Sequence, residues 1–375
     1  EPYKQAYIER NFSPPLLFRD IRELGNKQAH TAYGGLSEVP GGCDILVAGT
    51  SCVDFSTLNN SRKGIDGTGE SAQTFRGMMD WVKRTRPPCV ILENVFGAPF
   101  DKFVEYFEGP DVGYHCNYIK LDTKDFYIPH TRQRGYVFAV RGDRTKHSVV
   151  DKWVKTVESL KRPAAGGLDH FMFRSDDPRV VRGRKRMTDG LGKDDEGKSS
   201  GRSDWGKCQL RHASSRAEEN LGEKRIITGW SDATSSINLP PHMWSEWMSR
   251  QVSRIHDLTD INTLRLASVG IDQTFKTMVW NLSQNCDRDT MGKLGLSPCI
   301  TPTGVPFVTS RGGPLVGEEL LLLQGIPAQD LILTRETEAN LKDLAGNAMT
   351  TTVVGACILA AICCTDVQSP DGGKT

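Results

Sequence analysis

The chain has 375 residues, 38% hydrophobic and 25% charged, enough for one large domain or two modest ones with a folded core. A formal net charge of +1 excludes a polycationic tail, so any contact with nucleic acid has to come from local clusters of Lys and Arg. No apolar run approaches the roughly 20 residues of a membrane-spanning helix; the ten cysteines, of which only Cys363 and Cys364 are neighbours, show neither zinc-type CxxC spacing nor a disulfide framework, and read as reduced thiols.

In chain order, "EPYKQAYIERNF" opens without a cap or a preceding strand, as a piece cut from a longer protein would. Strands are expected at "PLLFRDI", "CDILVAG", "CVILENV" and "GYVFAVR". Between the second and third, Phe75, Met78, Met79 and Val82 recur at helical spacing, and Pro87 and Pro88 stop that helix. This alternation predicts a parallel α/β sheet with its chemistry at the C-terminal ends of the strands. From about residue 143 the chain turns rich in Gly, Ser and charge, without periodicity, which predicts a surface insertion or partial disorder. Trp205, Trp230, Trp244, Trp247 and Trp280 nevertheless imply a compact region with its own small core. Helices are expected again at "LVGEELLLLQGIP", stopped by Gly325 and Pro327, and at "GNAMTTTVVGACILAAICC"; the tail "SPDGGKT" is expected to be loose.

Three short segments carry the chemistry. In "ILVAGTSCVDFS", Cys52 follows an apolar strand, exposed and near backbone amides that favour a thiolate. In "LENV", Glu93 and Asn94 end the next apolar strand, where partial desolvation suits a carboxyl to proton donation. In "IPHTRQRGYVFAV", Arg132 and Arg134 are two apart, so in extended chain they share a face suited to a phosphate or a carbonyl oxygen. Each has an ordinary reading: a tolerated cysteine, a strand-end salt bridge, a solvated edge. Their joint occurrence at successive strand ends favours a site.

That ordered set resembles the C5-cytosine methyltransferase family. "GTSCVDFS" is similar to its nucleophile loop, "ENV" to its base-recognition motif and "HTRQR" to its Gln-x-Arg-x-Arg motif; "LLLLQGIP" and "LAGNAMTTTVVGA" resemble the motifs that close the domain. "EPYKQAYIERNF" with "LLFRDI" resembles the stretch contacting the ribose and adenine of the methyl donor. The resemblance implies an α/β fold: a Rossmann-like S-adenosylmethionine-dependent methyltransferase sheet (residues 1–142 and 305–365), an inserted, smaller target-recognition region (143–304) and a flexible tail (366–375).

It implies that Cys52 adds to C6 of a flipped cytosine, that Glu93 hydrogen-bonds N3 and N4, that Arg134 meets the base carbonyl and that Arg132 meets the DNA backbone or the catalytic loop. S-adenosylmethionine would be the donor and S-adenosylhomocysteine the product, with Glu1 at the ribose hydroxyls, Asp20 at the adenine amine and Asn347 near the methionine end. No metal is implied. Candidate DNA contacts are Ser71, Arg182, Arg184, Lys185 and Arg186, although the nearby "KDDEGK" offsets the basic run. "TLNNSRKGIDGTGES" is a candidate lid over the base.

Three departures stand out. Ser51 occupies the place of the family's proline, which should loosen the loop's start; His130 replaces a glutamine; and the Gly-rich donor loop expected before Glu1 is absent from these residues. The Ser-Cys variant, with "WNLSQNCDRDT", is most similar to the fungal and protist subgroup whose methyltransferase domain precedes a Snf2-type helicase-like ATPase. That implies a nuclear enzyme that maintains methylation at hemimethylated CG sites in double-stranded DNA, with the ATPase elsewhere in the full-length protein and no membrane association. Competing expectations are a tRNA methyltransferase, an inactive nucleic-acid-binding relative, and an unrelated cysteine hydrolase using His130.

Overall fold

The computed structural model describes residues 1–56, 59, 61–190, 205–231, 233–234 and 236–365. The chain runs through α1 (Pro2–Phe12), β1 (Gln28–His30), β2 (Leu36–Glu38), β3 (Ile45–Gly49), α2 (Glu70–Thr85), β4 (Cys89–Val95), α3 (Phe100–Glu108), β5 (Tyr114–Asp122), β6 (Gln133–Arg141) and α4 (Ser148–Ser159). There follow α5 (Pro178–Gly190), α6 (Trp205–Glu218), α7 (Ser245–Ser249), α8 (Ser253–Ser268), β7 (Val279–Asn281), β8 (Pro306–Val308), β9 (Gly313–Pro314), α9 (Gly317–Leu322), α10 (Glu338–Asn347) and α11 (Thr351–Cys364). These elements form two compact units. The first holds Glu1–Tyr127, Gln133–Pro163 and the chain from Met349; the second holds Ile128–Arg132 and Ala164–Ala348.

The first unit is a Rossmann-like α/β sandwich around a sheet of order β3-β4-β6-β5. Its strands alternate between two cores. Val90, Leu92, Val137 and Ala139 point to Phe75, Met78, Met79 and Val82 of α2 and to Phe103 and Phe107 of α3. Ile91, Tyr136, Phe138 and Val140 point to Trp153 of α4 and to Cys357, Ala360 and Ala361 of α11. Burial on both faces explains why "CVIL" and "YVFAV" read as unbroken apolar runs.

The sheet is mixed, not wholly parallel. β3 and β4 are parallel, while β6 runs antiparallel to both β4 and β5. The link between β5 and β6, residues 123–132, is shorter than the dozen or so residues a parallel crossover needs, so the chain returns antiparallel. β5 escaped the sequence pattern because His115, Asn117 and Lys120 interrupt it. At the expected first strand, Phe18 makes only an isolated bridge to Thr31, and Asp20 caps a single 3-10 turn.

Domain limits also shift. Residues 143–163 join the sheet unit because Trp153 stacks on Phe138 (ring centroids 5.0 Å apart) and its indole N–H donates to the Cys357 carbonyl at 3.0 Å. Residues 305–348 join the second unit: Phe307 of β8 stacks on both Trp247 and Trp280, at 6.3 and 5.8 Å, in the core with Met248, Leu258 and Ile261. The Trp-rich stretch thus builds a core, as expected. Residues 178–190, expected to lack regular structure, form α5, which buries Val180, Gly183 and Thr188. Residues 191–204 and the tail 366–375 lie outside the described residues.

By length and composition Glu338–Cys364 is apolar enough to cross a membrane, against the expectation that no such run exists. It is not one continuous rod. Extended backbone at Ala348 (ψ 145°) and Thr350 (ψ 120°) divides it into α10, of 10 residues, and α11, of 14. Both are shorter than the roughly 20 residues a span requires.

Candidate active site at the end of the sheet

Parallel pairing of β3 with β4 sets Gly49 directly opposite Glu93, and Cys52 lies three residues beyond Gly49 on the same strand exit. The first residues of β6 arrive at the same end, with Arg134 opposite Val95. Arg134 Nε is 3.1 Å from Glu93 Oε1, and the two side chains are only 16% and 12% exposed, so this is a largely desolvated ion pair. The other carboxylate oxygen lies over Gly49: a Cβ built there would be 3.6 Å from Glu93 Oε2 and 2.7 Å from Met349 Cε. Glycine at 49 therefore leaves room for both groups. Cys52 is half-buried.

The loop carrying Cys52 is strapped down on both sides. Asn94, buried beside Glu93, donates from Nδ2 to the Thr50 hydroxyl at 3.1 Å and the Thr50 carbonyl at 3.3 Å. The Ser51 N–H donates to Thr74 Oγ1 at 3.1 Å, a bond that a proline at 51 could not make. The expected loosening of the loop is therefore offset by a tether. Beyond the cysteine, the Asp54 N–H donates to Ser71 Oγ at 3.0 Å, and the Ser71 N–H returns a bond to Asp54 Oδ2 at 2.8 Å. Gly69, at the N-cap of α2, has no side chain to satisfy the first-turn amides, and Asp54 takes that role from the loop. A Cβ on Gly69 would meet Asp54 Oδ2 at 2.3 Å.

This geometry corrects three expectations. Ser71 is fully buried with its hydroxyl engaged by Asp54, so it clasps the loop of Cys52 and presents no exposed surface. Arg132 belongs to the second unit and Arg134 to the first. Arg132 is 4% exposed and donates to the carbonyls of Ile300, Gly346 and Ala348, a tie within the second unit. His130 is fully buried, its Nδ1 toward the Leu323 carbonyl at 3.1 Å and its Nε2 accepting the Ile300 N–H at 3.2 Å. Both ring nitrogens serve backbone groups, which removes His130 as the base of a cysteine hydrolase. Of the candidate lid, residues 57, 58 and 60 lie outside the described residues, while Ile65 is buried, Tyr106 holds Asp66 at 2.7 Å and Arg76 holds the Gly67 carbonyl at 2.9 Å.

The residues expected at the methyl donor divide between the units. Glu1 precedes α1 with an exposed carboxylate 2.5 Å from Lys4 Nζ. Asp20 accepts from the backbone and guanidinium of Arg22, and these hydrogen bonds hold its carboxyl below the usual range. Two carboxylates are the right acceptors for a ribose diol and an exocyclic amine, so this donor set fits the ligand chemistry; each presently holds a neighbouring cation. Asn347 belongs to the second unit, where it donates to the Asp343 side chain at 2.8 Å.

The basic candidates lie on α5. Arg182, Lys185 and Arg186 share one exposed face at i, i+3, i+4, with Arg182 3.3 Å from Glu318, while Arg184 covers the Trp244 ring at 5.2 Å. Arg186 also borders a cavity of about 730 Å³ within the second unit, whose lining includes Arg335, Glu336, Glu338 and Lys342 but none of Cys52, Glu93 or Arg134.

Thr74 and Asp54, which tie the loop of Cys52 to α2, are positions that pattern reading missed. The signal was a helix starting after glycine, which requires a capping group from elsewhere. A buried polar network in the second unit was missed as well. Asp257 accepts from His212 Nδ1 at 2.9 Å, Arg216 Nη2 at 2.8 Å and Arg225 Nε at 3.0 Å, and His212 hydrogen-bonds Cys286, which also lies 3.4 Å from Ser215 Oγ.

A thiol, a carboxylate and a guanidinium at one end of a Rossmann-like sheet accord with the comparison to known families. The chain belongs to the C-5 cytosine-specific DNA methylase family, whose profile matches residues 1–362. Across 96% of its length it is 51% identical to the DNA (cytosine-5-)-methyltransferase DMT5 of Cryptococcus neoformans var. grubii and 32% identical to the protein of the same name from Verticillium dahliae. It spans 15% and 18% of those two proteins' own lengths. A crystal structure of S. pombe Dnmt2 methyltransferase matches at 12% identity, covering 85% of this chain and 77% of that chain, with a TM-score of 0.39.

Proposed function

We propose that this chain is the catalytic part of a DNA cytosine-5 methyltransferase that works through a covalent adduct between Cys52 and C6 of an extruded cytosine. The observation that carries the reading is the convergence at one sheet end: Glu93 opposite Gly49 in register, its carboxylate over that glycine and paired with Arg134, and Cys52 on the loop that leaves the same strand.

The chemistry follows from those groups. C5 of cytosine is a weak nucleophile, and C6 is inaccessible within a stacked duplex, so the base has to be rotated out and gripped by its edge. Once the base has separated Glu93 from Arg134, the carboxylate takes up the proton given up by the Cys52 thiol; the thiolate then bonds to C6 while Glu93 delivers that proton to N3, and the displaced electron pair makes C5 nucleophilic. A Glu93 oxygen accepts from the N4 amine, and Arg134 donates to O2, so the incoming base takes over contacts that the two side chains now make with each other. When bound, S-adenosylmethionine supplies an electrophilic sulfonium methyl group for C5 and is converted to S-adenosylhomocysteine; within the first unit, Glu1 and Asp20 are the residues that would hold it. Loss of the C5 proton to solvent then expels the Cys52 thiolate, breaks the bond to C6 and returns the N3 proton to Glu93.

The finer reading is maintenance of hemimethylated CG sites in double-stranded DNA, in the nucleus, by a longer protein that also carries a Snf2-type ATPase. It is supported by the Ser51-Cys52 variant of the nucleophile loop and by relatives several times the length of this chain. The exposed face of Arg182, Lys185 and Arg186 is the proposed phosphate contact. The test is transfer of labelled methyl from S-adenosylmethionine by the full-length protein, with and without ATP, to hemimethylated duplex, unmethylated duplex and tRNA. Preferential labelling of the hemimethylated duplex supports the reading. Equal labelling of both duplexes removes maintenance, and labelling of tRNA alone removes DNA.

A further inference from the structure

We propose that Thr74 is a positioning residue for the nucleophile: its hydroxyl holds the Ser51 amide and thereby sets where the Cys52 sulfur meets the base. The inference rests on the reading of Cys52 as the attacking group.

Proline at position 51 would fix its own φ and carry no N–H. Serine leaves φ free but supplies a donor, and the structure uses that donor on Thr74 Oγ1 at 3.1 Å. Thr74 lies one turn into α2, and its hydroxyl proton is directed back at the Glu70 carbonyl (3.0 Å) or the Ser71 carbonyl (3.2 Å), so an oxygen lone pair remains for Ser51. Two residues past the cysteine, the reciprocal Asp54–Ser71 bonds fasten the loop to the same helix. Between these straps the Cys52 carbonyl accepts the N–H groups of Phe55 and Ser56, both at 3.0 Å, closing a tight turn. The cysteine backbone is therefore pinned at the preceding residue and two residues later to the first two turns of one rigid element.

A neutral hydrogen bond contributes modestly to global stability. Attack on C6, by contrast, depends steeply on sulfur placement, because small displacements of a reacting atom are costly in rate. Loss of this tether should therefore be visible in the chemical step and not in folding or DNA affinity.

The experiment uses the full-length protein, S-adenosylmethionine and a duplex bearing 5-fluorocytosine at CG. It measures the single-turnover rate of covalent complex formation, DNA affinity and the thermal midpoint. Thr74→Val is expected to slow adduct formation about tenfold with DNA affinity within about twofold. Thr74→Ser, which keeps the hydroxyl, should react near the wild-type rate. With Ser51→Pro in place the donor is gone, and adding Thr74→Val should change nothing further. Several results overturn the proposal: Thr74→Val reacting as fast as wild type, a defect undiminished in the Ser51→Pro background, loss of DNA affinity in proportion to rate, or a Thr74→Val protein that does not fold. A wild-type protein that forms no complex removes the nucleophile reading itself; a reactive wild type with an equally reactive Thr74→Val protein removes only the role of Thr74.

Discussion

The two units each place a cysteine in a polar setting, and the settings differ in an instructive way. In the second unit Cys286 hydrogen-bonds His212, which in turn bonds Asp257, the order of groups found in cysteine hydrolases. Burial alone would raise the Cys286 thiol, yet the bonds from His212 and Ser215 outweigh it and lower its pKa. Cys286 is also completely buried, with Arg216 and Arg225 closing the far side of Asp257, so no substrate reaches the sulfur. Cys52 has a carboxylate and a guanidinium at its sheet end and keeps an accessible surface. The comparison separates a lowered thiol pKa from use of the thiol. Acyl transfer needs a base beside sulfur, whereas addition to a pyrimidine needs a group that protonates the ring, the role proposed above for Glu93. The second network holds a core together.

The largest separation of the two settings is by deletion. Cys52→Ala should lower methyl transfer by more than about 10³-fold, while Cys286→Ala should keep turnover within about threefold and lower the thermal midpoint by a few degrees. Methyl-incorporation rates and melting curves on the same preparations check both, and inactivity of Cys286→Ala in a folded protein would break the comparison. Glu93→Gln should retain hydrogen bonding to the base but lose proton donation, with a fall of about 10² to 10⁴ in the single-turnover rate. DNA affinity measured alongside should change much less.

Third in size is Asp257→Asn, which leaves Arg216, Arg225 and His212 without their counter-charge. A loss of about 3–5 kcal/mol is expected from urea unfolding. The pH dependence carries the same signature. Burial opposes ionisation of Asp257, but hydrogen bonds from His212 and Arg216 prevail and hold its carboxyl far below the ordinary value of 3.8. A depressed carboxyl stabilises the fold above that value, and the contribution is lost as pH falls through the folded value. For His212, burial opposes the charge, but bonds to Asp257 and Cys286 raise it above 6.5. Its contribution is full below 6.5 and is lost as pH rises through the folded value. Stability of the second unit should therefore peak between these limits, and Asp257→Asn should flatten both flanks. The smallest effect is chemical: iodoacetamide should label Cys52 in the folded protein and reach Cys286 only after denaturation, as peptide mapping would show.

The same contrast explains what was legible in the sequence. β4, β6 and α2 were readable because their burial is regular along the chain: unbroken apolar runs for strands covered on both faces, and Phe75, Met78, Met79 and Val82 on one helical face. β5 was not, because His115, Asn117 and Lys120 mix with its buried positions, and the antiparallel return of β6 follows from a short link, not from any residue pattern. Cys52, Glu93 and Arg134 could be grouped because each follows or precedes a recognisable strand. Arg132, Ser71 and His130 look identical to functional groups in a linear pattern, and only tertiary burial shows that they bond backbone or loop partners inside the fold. The Asp257 network draws on α6, α8 and the loop at Arg225, too far apart in sequence for any local pattern to join.

The most direct test of the central claim is mass spectrometric mapping of the covalent complex formed between the full-length protein and a 5-fluorocytosine duplex. The nucleotide is predicted on the peptide containing Cys52, with its yield collapsing in Glu93→Gln. A stable complex mapping to any other cysteine, or methylation proceeding normally in Cys52→Ala, would contradict the account.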